Sequence, residues 1–347
     1  MVSAARGIRL IASRQTIAVA LAVLALVSAC AGQPQRHAAK PAKREVPSQP
    51  SAGAPGSIAA IGALGSYRVG ERQVTFLEPA HIGPTGQDLG QRTLVTVIRY
   101  PLAQPSAGPH PAAGPFPLLM FAPGFMQCGS PYSRLLQAWA SAGYVVAAVN
   151  FPRTDCHAGA AADEPDLVNQ PADMSYVLSS LLTLSAQPHD LFSGLLNRRE
   201  IAAAGQSDGG DTVAALAANA CCTDHRLDAV AVLSGAEWPP MPGRYFAHGA
   251  PPMLFVQGSA DTVNPPWTSL QLYRSDKANR RYYLDLFGAS HMIPYAGTSP
   301  LERLVARVTL AFFDRYVLGQ DSALATMTRD GNVSGTAALV SGSRLPP

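Results

Sequence analysis

From about Ser66 onward the chain alternates between short runs that are apolar at nearly every position and longer runs whose apolar residues recur at helical spacing. RQVTFLEP and RTLVTVIRYP are rich in Val, Thr, Ile and Tyr and are stopped by prolines, which predicts two strands. A proline-rich surface loop over residues 104–115 leads to FPLLMFAPG, an unbroken apolar run ending in glycine. SRLLQAWASAG then sets Leu135, Leu136 and Trp139 on one helical face and stops at Gly143. YVVAAVNFP reads as a buried strand, PADMSYVLSSLLTLS as a helix, REIAAAG as a strand and GDTVAALAANA as a helix. Strands follow at LDAVAVLSG and PPMLFVQGS, a helix around residues 267–275, a strand at RRYYLDLFG, and a closing helix at LERLVARVTLAFFDRYVLG.

Strands without a polar face, alternating with helices, require cover on both sides, so the pattern predicts an α/β fold. Its central sheet is mostly parallel, with about eight strands. No repeat of 20–50 residues interrupts it, and one domain over residues 61–320 accounts for the pattern. The tail 321–347 is not placed by it.

The N-terminus has a different texture. Arg6, Arg9 and Arg14 precede TIAVALAVLALVSA, an apolar stretch short for a bilayer span, so residues 1–29 read as a signal peptide. The small residues Ser28 and Ala29 directly before Cys30 resemble a bacterial lipobox, which makes Cys30 the expected lipidation site. The alternative is an ordinary signal peptide cleaved at Ala29 or shortly after. Residues 30–60 are rich in Ala, Pro, Gly, Ser and Gln and predict an extended linker. The expected location is therefore the outer face of the cell membrane, held by the lipid, or the secreted fraction.

Composition narrows the class. Charged residues make up only 14%, and the net charge of +3 is carried by the three arginines of the signal peptide. Without them 23 basic residues face 23 acidic ones, so no basic stripe points to nucleic acid. Cys128, Cys156, Cys221 and Cys222 remain, an even number suited to disulfides in an oxidising compartment. No zinc-ligand spacing is evident, since His157 beside Cys156 lacks a second Cys-x-x-Cys half. A monomer is favoured, although the sequence does not fix the oligomeric state.

The candidate chemistry centres on Gly205-Gln206-Ser207-Asp208-Gly209. A nucleophile elbow needs a strand, a sharp turn and a helix, and this motif lies between EIAAAG and DTVAALAA. In that fold the order along the chain is nucleophile, acid, histidine. Asp261 lies in the turn after the strand MLFVQG, and past it the only histidine is His291 in LFGASHM. The expected catalytic set is thus Ser207 as nucleophile, His291 as base and Asp261 as its orienting carboxylate. The oxyanion donors are expected at the backbone N–H of Asp208 and of Phe125 in FAPGFMQCG. The mechanism calls for no cofactor and no metal.

FAPGF, GQSDGG, GSADTVNPP and FGASH together resemble the α/β-hydrolases, and within them the cutinase-like polyester hydrolases and the related dienelactone hydrolase and platelet-activating-factor acetylhydrolase-like esterases. The resemblance runs over about residues 66–318. It implies that Phe125 and Trp238 line the acyl pocket, and that the loops carrying Cys128 and Cys156 follow neighbouring strands, where a disulfide fits. Cys221 and Cys222 either bridge each other or pair elsewhere. The departures are Asp208, where those enzymes carry methionine or another apolar residue, and the adjacent cysteines. Only a loop's length separates Gly235 from Pro251, which leaves no room for a large lid. Trp238, Met241, Tyr245 and Phe246 either wall an open cleft or pack against the helix before them. The function expected is an extracytoplasmic serine ester hydrolase acting on an ester substrate. The alternatives are a peptidase or thioesterase of the same fold, or a lipid- or glycan-binding lipoprotein without catalysis.

Overall fold

The computed structural model describes residues 64–104 and 110–346. The expected signal peptide over 1–29, the expected lipidation site Cys30 and the expected linker over 30–60 lie outside the described residues. Within them the chain runs β1 (Val69–Glu78), β2 (Arg92–Pro101), β3 (Phe116–Ala122), α1 (Ser133–Ser141), β4 (Val145–Asn150), α2 (Gln170–Ala186) and β5 (Leu196–Gln206). It continues through α3 (Asp208–Ala218), β6 (Ala229–Leu233), β7 (Met253–Gly258), α4 (Pro266–Ser275), β8 (Arg281–Leu286), α5 (Pro300–Tyr316), α6 (Ala323–Gly331) and β9 (Ala337–Ser341).

The strands form one sheet in the order β1-β2-β4-β3-β5-β6-β7-β8-β9. Pairing is parallel from β4 through β8, with β1 and β2 antiparallel at one edge and β9 antiparallel at the other. Nine strands stand where about eight were expected, because the unplaced tail supplies β9. Its half-buried AALVS has neither a fully apolar run nor a clean alternation, so only pairing with β8 makes it a strand.

Side chains on each strand alternate between two cores, as the pleat dictates. Leu118, Met120, Val145, Val149, Ile201 and Val230 join α2, α3 and α4 on one face. Leu119, Phe121, Val146, Ala202, Ala204 and Leu233 join α1, α5 and α6 on the other. The expected helix α1 buries Leu135, Leu136 and Trp139, and Trp139 Nε1 donates to Thr309 Oγ1 of α5 at 2.9 Å. A buried ion cluster pins the antiparallel edge: Arg92 of β2 donates to Asp173 of α2 and to Asp166, at 2.6–3.0 Å. Because the strands from β4 through β8 are parallel, β3, β5, β7 and β8 all end on one edge. That edge is where the loops of an open parallel sheet assemble a site.

Candidate active site

At the C-terminal end of β5 the backbone turns abruptly. Ser207 has φ 58° and ψ −125°, a left-handed conformation rare for a residue with a Cβ. Ser207 N–H donates to Leu233 O of β6 at 2.9 Å, and Asp211 N–H donates to Ser207 O at 3.0 Å, so strand and helix clamp the turn from both sides. The flanking glycines are sterically demanded. A Cβ on Gly205 would lie 2.0 Å from Gly209 O, and one on Gly209 would lie 1.9 Å from Ala122 O.

Asp261 and His291 arrive from the loops after β7 and β8. His291 Nδ1 donates to Asp261 Oδ2 at 2.7 Å, because a carboxylate can only accept from that nitrogen. Asp261 is buried and its carboxylate collects three further donors: Gln257 Nε2 at 3.1 Å on Oδ2, with Val263 N at 2.9 Å and Asn264 N at 3.0 Å on Oδ1. The two loops are stitched together by Ala260 N–H donating to Ala289 O at 3.0 Å, and a Cβ on Gly258 would lie 2.4 Å from that same oxygen.

The side facing β5 holds a contact that the motif did not announce. Gln206 Nε2 lies 3.2 Å from His291 Nε2 and donates to His291 O at 3.3 Å. Its Oε1 accepts from Tyr132 OH at 2.7 Å, and Tyr132 OH accepts from Gly124 N at 3.3 Å. Burial, ahead of every other cause, pushes the Tyr132 phenol up, which keeps it a donor. Ser207 Oγ makes no hydrogen bond among the described residues. Gln206, Tyr132 and Gln257 are thus the polar residues that sequence reasoning passed over. The available signal was a glutamine at the end of a buried apolar stretch, Gln206 after IAAAG in β5 and Gln257 after MLFV in β7.

Beside the expected oxyanion donors, Gly124 N–H donates to Tyr132, Met126 N–H to Thr154 O at 2.7 Å and Ser207 N–H to Leu233 O, whereas Phe125 and Asp208 N–H have no partner on another residue among the described residues. The Asp208 side chain is buried, 7% exposed, and its Oδ2 has no hydrogen-bond partner among the described residues. Burial pushes this carboxyl up to about 7, with the charge of Glu164 adding to the effect and its own backbone N–H opposing it. Asp211, one turn on, is pushed well above the carboxylate range by burial, although Ala236 N–H donates to it.

A cavity of 420 Å³ beside the elbow helix is lined by Ala236, Trp238, Met241, Tyr245 and Trp267, among others. Met241 walls this cavity and also packs on Leu167, Val168 and Ala215, whereas Phe246 lies outside its lining and packs on the core of the α2–α4 face. Cys128 and Cys156 are disulfide-bonded with Cα atoms 5.2 Å apart, joining the loops after β3 and β4, and Cys221 bridges its neighbour Cys222. Among the described residues one cluster has metal-ligand spacing, Cys128, Cys156 and His157. Both of its sulfurs are consumed by the disulfide, so it does not fit a metal.

A mostly parallel sheet whose strand ends present a strained serine turn, a carboxylate loop and a histidine loop defines the α/β-hydrolase class. The chain belongs to the PET hydrolase-like family (PETase), which matches residues 107–334. That family is related to the cutinase-like polyester hydrolases, and its activity is ester hydrolysis. Comparison with curated proteins gives no match.

Proposed function

We propose that the protein is an extracytoplasmic serine ester hydrolase, carboxylesterase- or cutinase-like, acting through Ser207, His291 and Asp261. His291 Nε2 takes the Ser207 hydroxyl proton as Oγ attacks the acyl carbon of an ester. The tetrahedral oxyanion is met by the N–H groups of Phe125 and Asp208, and collapse returns the proton from His291 to the departing alcohol. Water repeats the sequence on the acyl-enzyme and releases the acid. Asp261 holds the imidazole in the tautomer with hydrogen on Nδ1 and stabilises the imidazolium.

The observation that carries this reading is the 2.7 Å His291–Asp261 contact beside a serine held at φ 58° on a strand-to-helix turn. Phe125 and Trp238 wall the acyl pocket, and the single loop over residues 234–252 between β6 and β7 leaves the cleft open to bulky esters. Two disulfides among the described cysteines fit an oxidising compartment. In that compartment the lipid on Cys30 anchors the enzyme to the membrane, where it works without nucleic acid or cofactor.

The test is hydrolysis of a p-nitrophenyl ester series from acetate to palmitate, with Ser207→Ala alongside. We expect short and medium chains to turn over, and kcat to fall on the order of 10⁴-fold in the variant. Folded wild-type protein that hydrolyses no ester would sink the proposal.

A further inference from the structure

The residue before the nucleophile has a place in the chemistry that the motif does not reveal. Gln206 is fully buried, and every polar atom of its carboxamide is used. Its orientation is fixed by partners that have no choice of role. His291 O can only accept, so the NH₂ faces the histidine. Tyr132 OH already accepts from Gly124 N, so its own hydrogen goes to Gln206 Oε1. Asp261 holds the hydrogen of His291 on Nδ1, which leaves Nε2 as a bare lone pair aimed at the Gln206 NH₂.

A single buried chain therefore runs Asp261–His291–Gln206–Tyr132–Gly124. It joins the carboxylate, the base and the loop that carries Phe125. Ser207 Oγ stands outside this chain. A Cβ on Gly124 would lie 2.9 Å from Gln206 Oε1 and 3.1 Å from Ser207 Cβ, so the oxyanion loop rests directly on the carboxamide and the nucleophile.

Resting on the triad reading above, we propose that Gln206 is a positioning residue: its carboxamide ties the base His291 to the oxyanion loop through Tyr132 and shares the Nε2 lone pair with Ser207. Through these contacts the carboxamide holds the imidazole ring and the His291 main chain in register with Gly124.

The experiment uses Gln206→Met, similar in length but without a donor, and Tyr132→Phe, which removes only the hydroxyl that orients the amide. Imidazole ¹H–¹⁵N spectra at neutral pH read the hydrogen bond to Nε2 directly and need no turnover. We expect the Nε2 resonance of His291 to lose its hydrogen-bonded shift in Gln206→Met while Nδ1 keeps its proton.

In kinetics, kcat should fall about tenfold with KM within about twofold, because a misplaced base affects the transition state more than binding. Tyr132→Phe should act in the same direction more weakly, and the double variant should be no worse than Gln206→Met alone, as expected for one chain of contacts.

An unchanged Nε2 resonance, or a loss of activity confined to KM, would overturn the proposal. If the wild type hydrolysed no ester, the function above would fail, and the Nε2 resonance would still decide the role of Gln206.

Discussion

Replacing Asp208 by Asn removes a charge from a place where the fold does not solvate it. The carboxyl is 7% exposed, its Oδ2 has no hydrogen-bond partner, and Glu164 is a like charge nearby. Its position as first residue of α3 favours a carboxylate, but a helix N-terminus contributes only about 0.3–1 kcal/mol. Burial wins, and the group is held at about 7 where 3.8 is ordinary. At roughly 1.4 kcal/mol per pH unit, ionising it in the folded protein costs up to about 4 kcal/mol of stability.

The sign is definite. Below pH 3.8 the carboxyl is protonated in both folded and unfolded chains and imposes no penalty. As the pH rises from there the unfolded chain releases the proton while the folded one retains it, and stability is lost until the pH passes about 7. The gap between Asp208→Asn and wild type should therefore widen from pH 4 to pH 8 in favour of the variant. At about 2 °C per kcal/mol for a domain of this size, that is a gain in Tm of up to about 8 °C at the alkaline end. Thermal melts of both proteins across that range check it. In Glu164→Gln the wild-type break should move to lower pH. Because the Asp208 amide is a proposed oxyanion donor, the variant should also hold its kcat/KM above pH 7 where the wild type declines. Parallel melting curves from pH 4 to pH 8 would refute the reasoning.

Gly209→Ala should abolish the native fold or destabilise it by more than about 3 kcal/mol, since its Cβ would sit 1.9 Å from Ala122 O; circular dichroism and solubility report it. Arg92→Met leaves Asp166 and Asp173 buried without their cation and should cost about 3–5 kcal/mol in urea unfolding, with kcat/KM of the folded fraction unchanged. Reducing Cys128–Cys156, whose partners are 28 residues apart, should lower stability by about 3–4 kcal/mol, whereas Cys221→Ala with Cys222→Ala, which closes no loop, should change it by less than about 1 kcal/mol. Deleting residues 321–347 strips β9 from β8 and Met327 from the core beneath α6, and should produce aggregation visible by light scattering.

Much of this protein was legible in the residues because its signals are local. A fully buried parallel strand must be apolar throughout, so FPLLMFA, VVAAVN and MLFVQG mark themselves, and Leu135, Leu136 and Trp139 give α1 its buried stripe. The elbow is legible for a similar reason: Gly205 and Gly209 are demanded by contacts of a strand and a helix adjacent in sequence. Once Ser207 is placed, the turn after the strand MLFVQG marks Asp261, and past it chain order leaves His291 as the histidine.

What only the tertiary structure decided are relations between distant segments. AALVS becomes a strand because the edge of β8 is there to pair with it. Gln206 and Tyr132 become neighbours 74 residues apart only when β3 and β5 lie side by side, and their polarity on a buried edge then requires them to satisfy each other. Asp208 is an ordinary carboxylate in the sequence. It becomes a group held at about 7 because folding closes around it without supplying a donor to Oδ2. Sequence pattern records which surfaces must be buried, whereas hydrogen-bond partners and desolvation are set by what the folded chain brings opposite them.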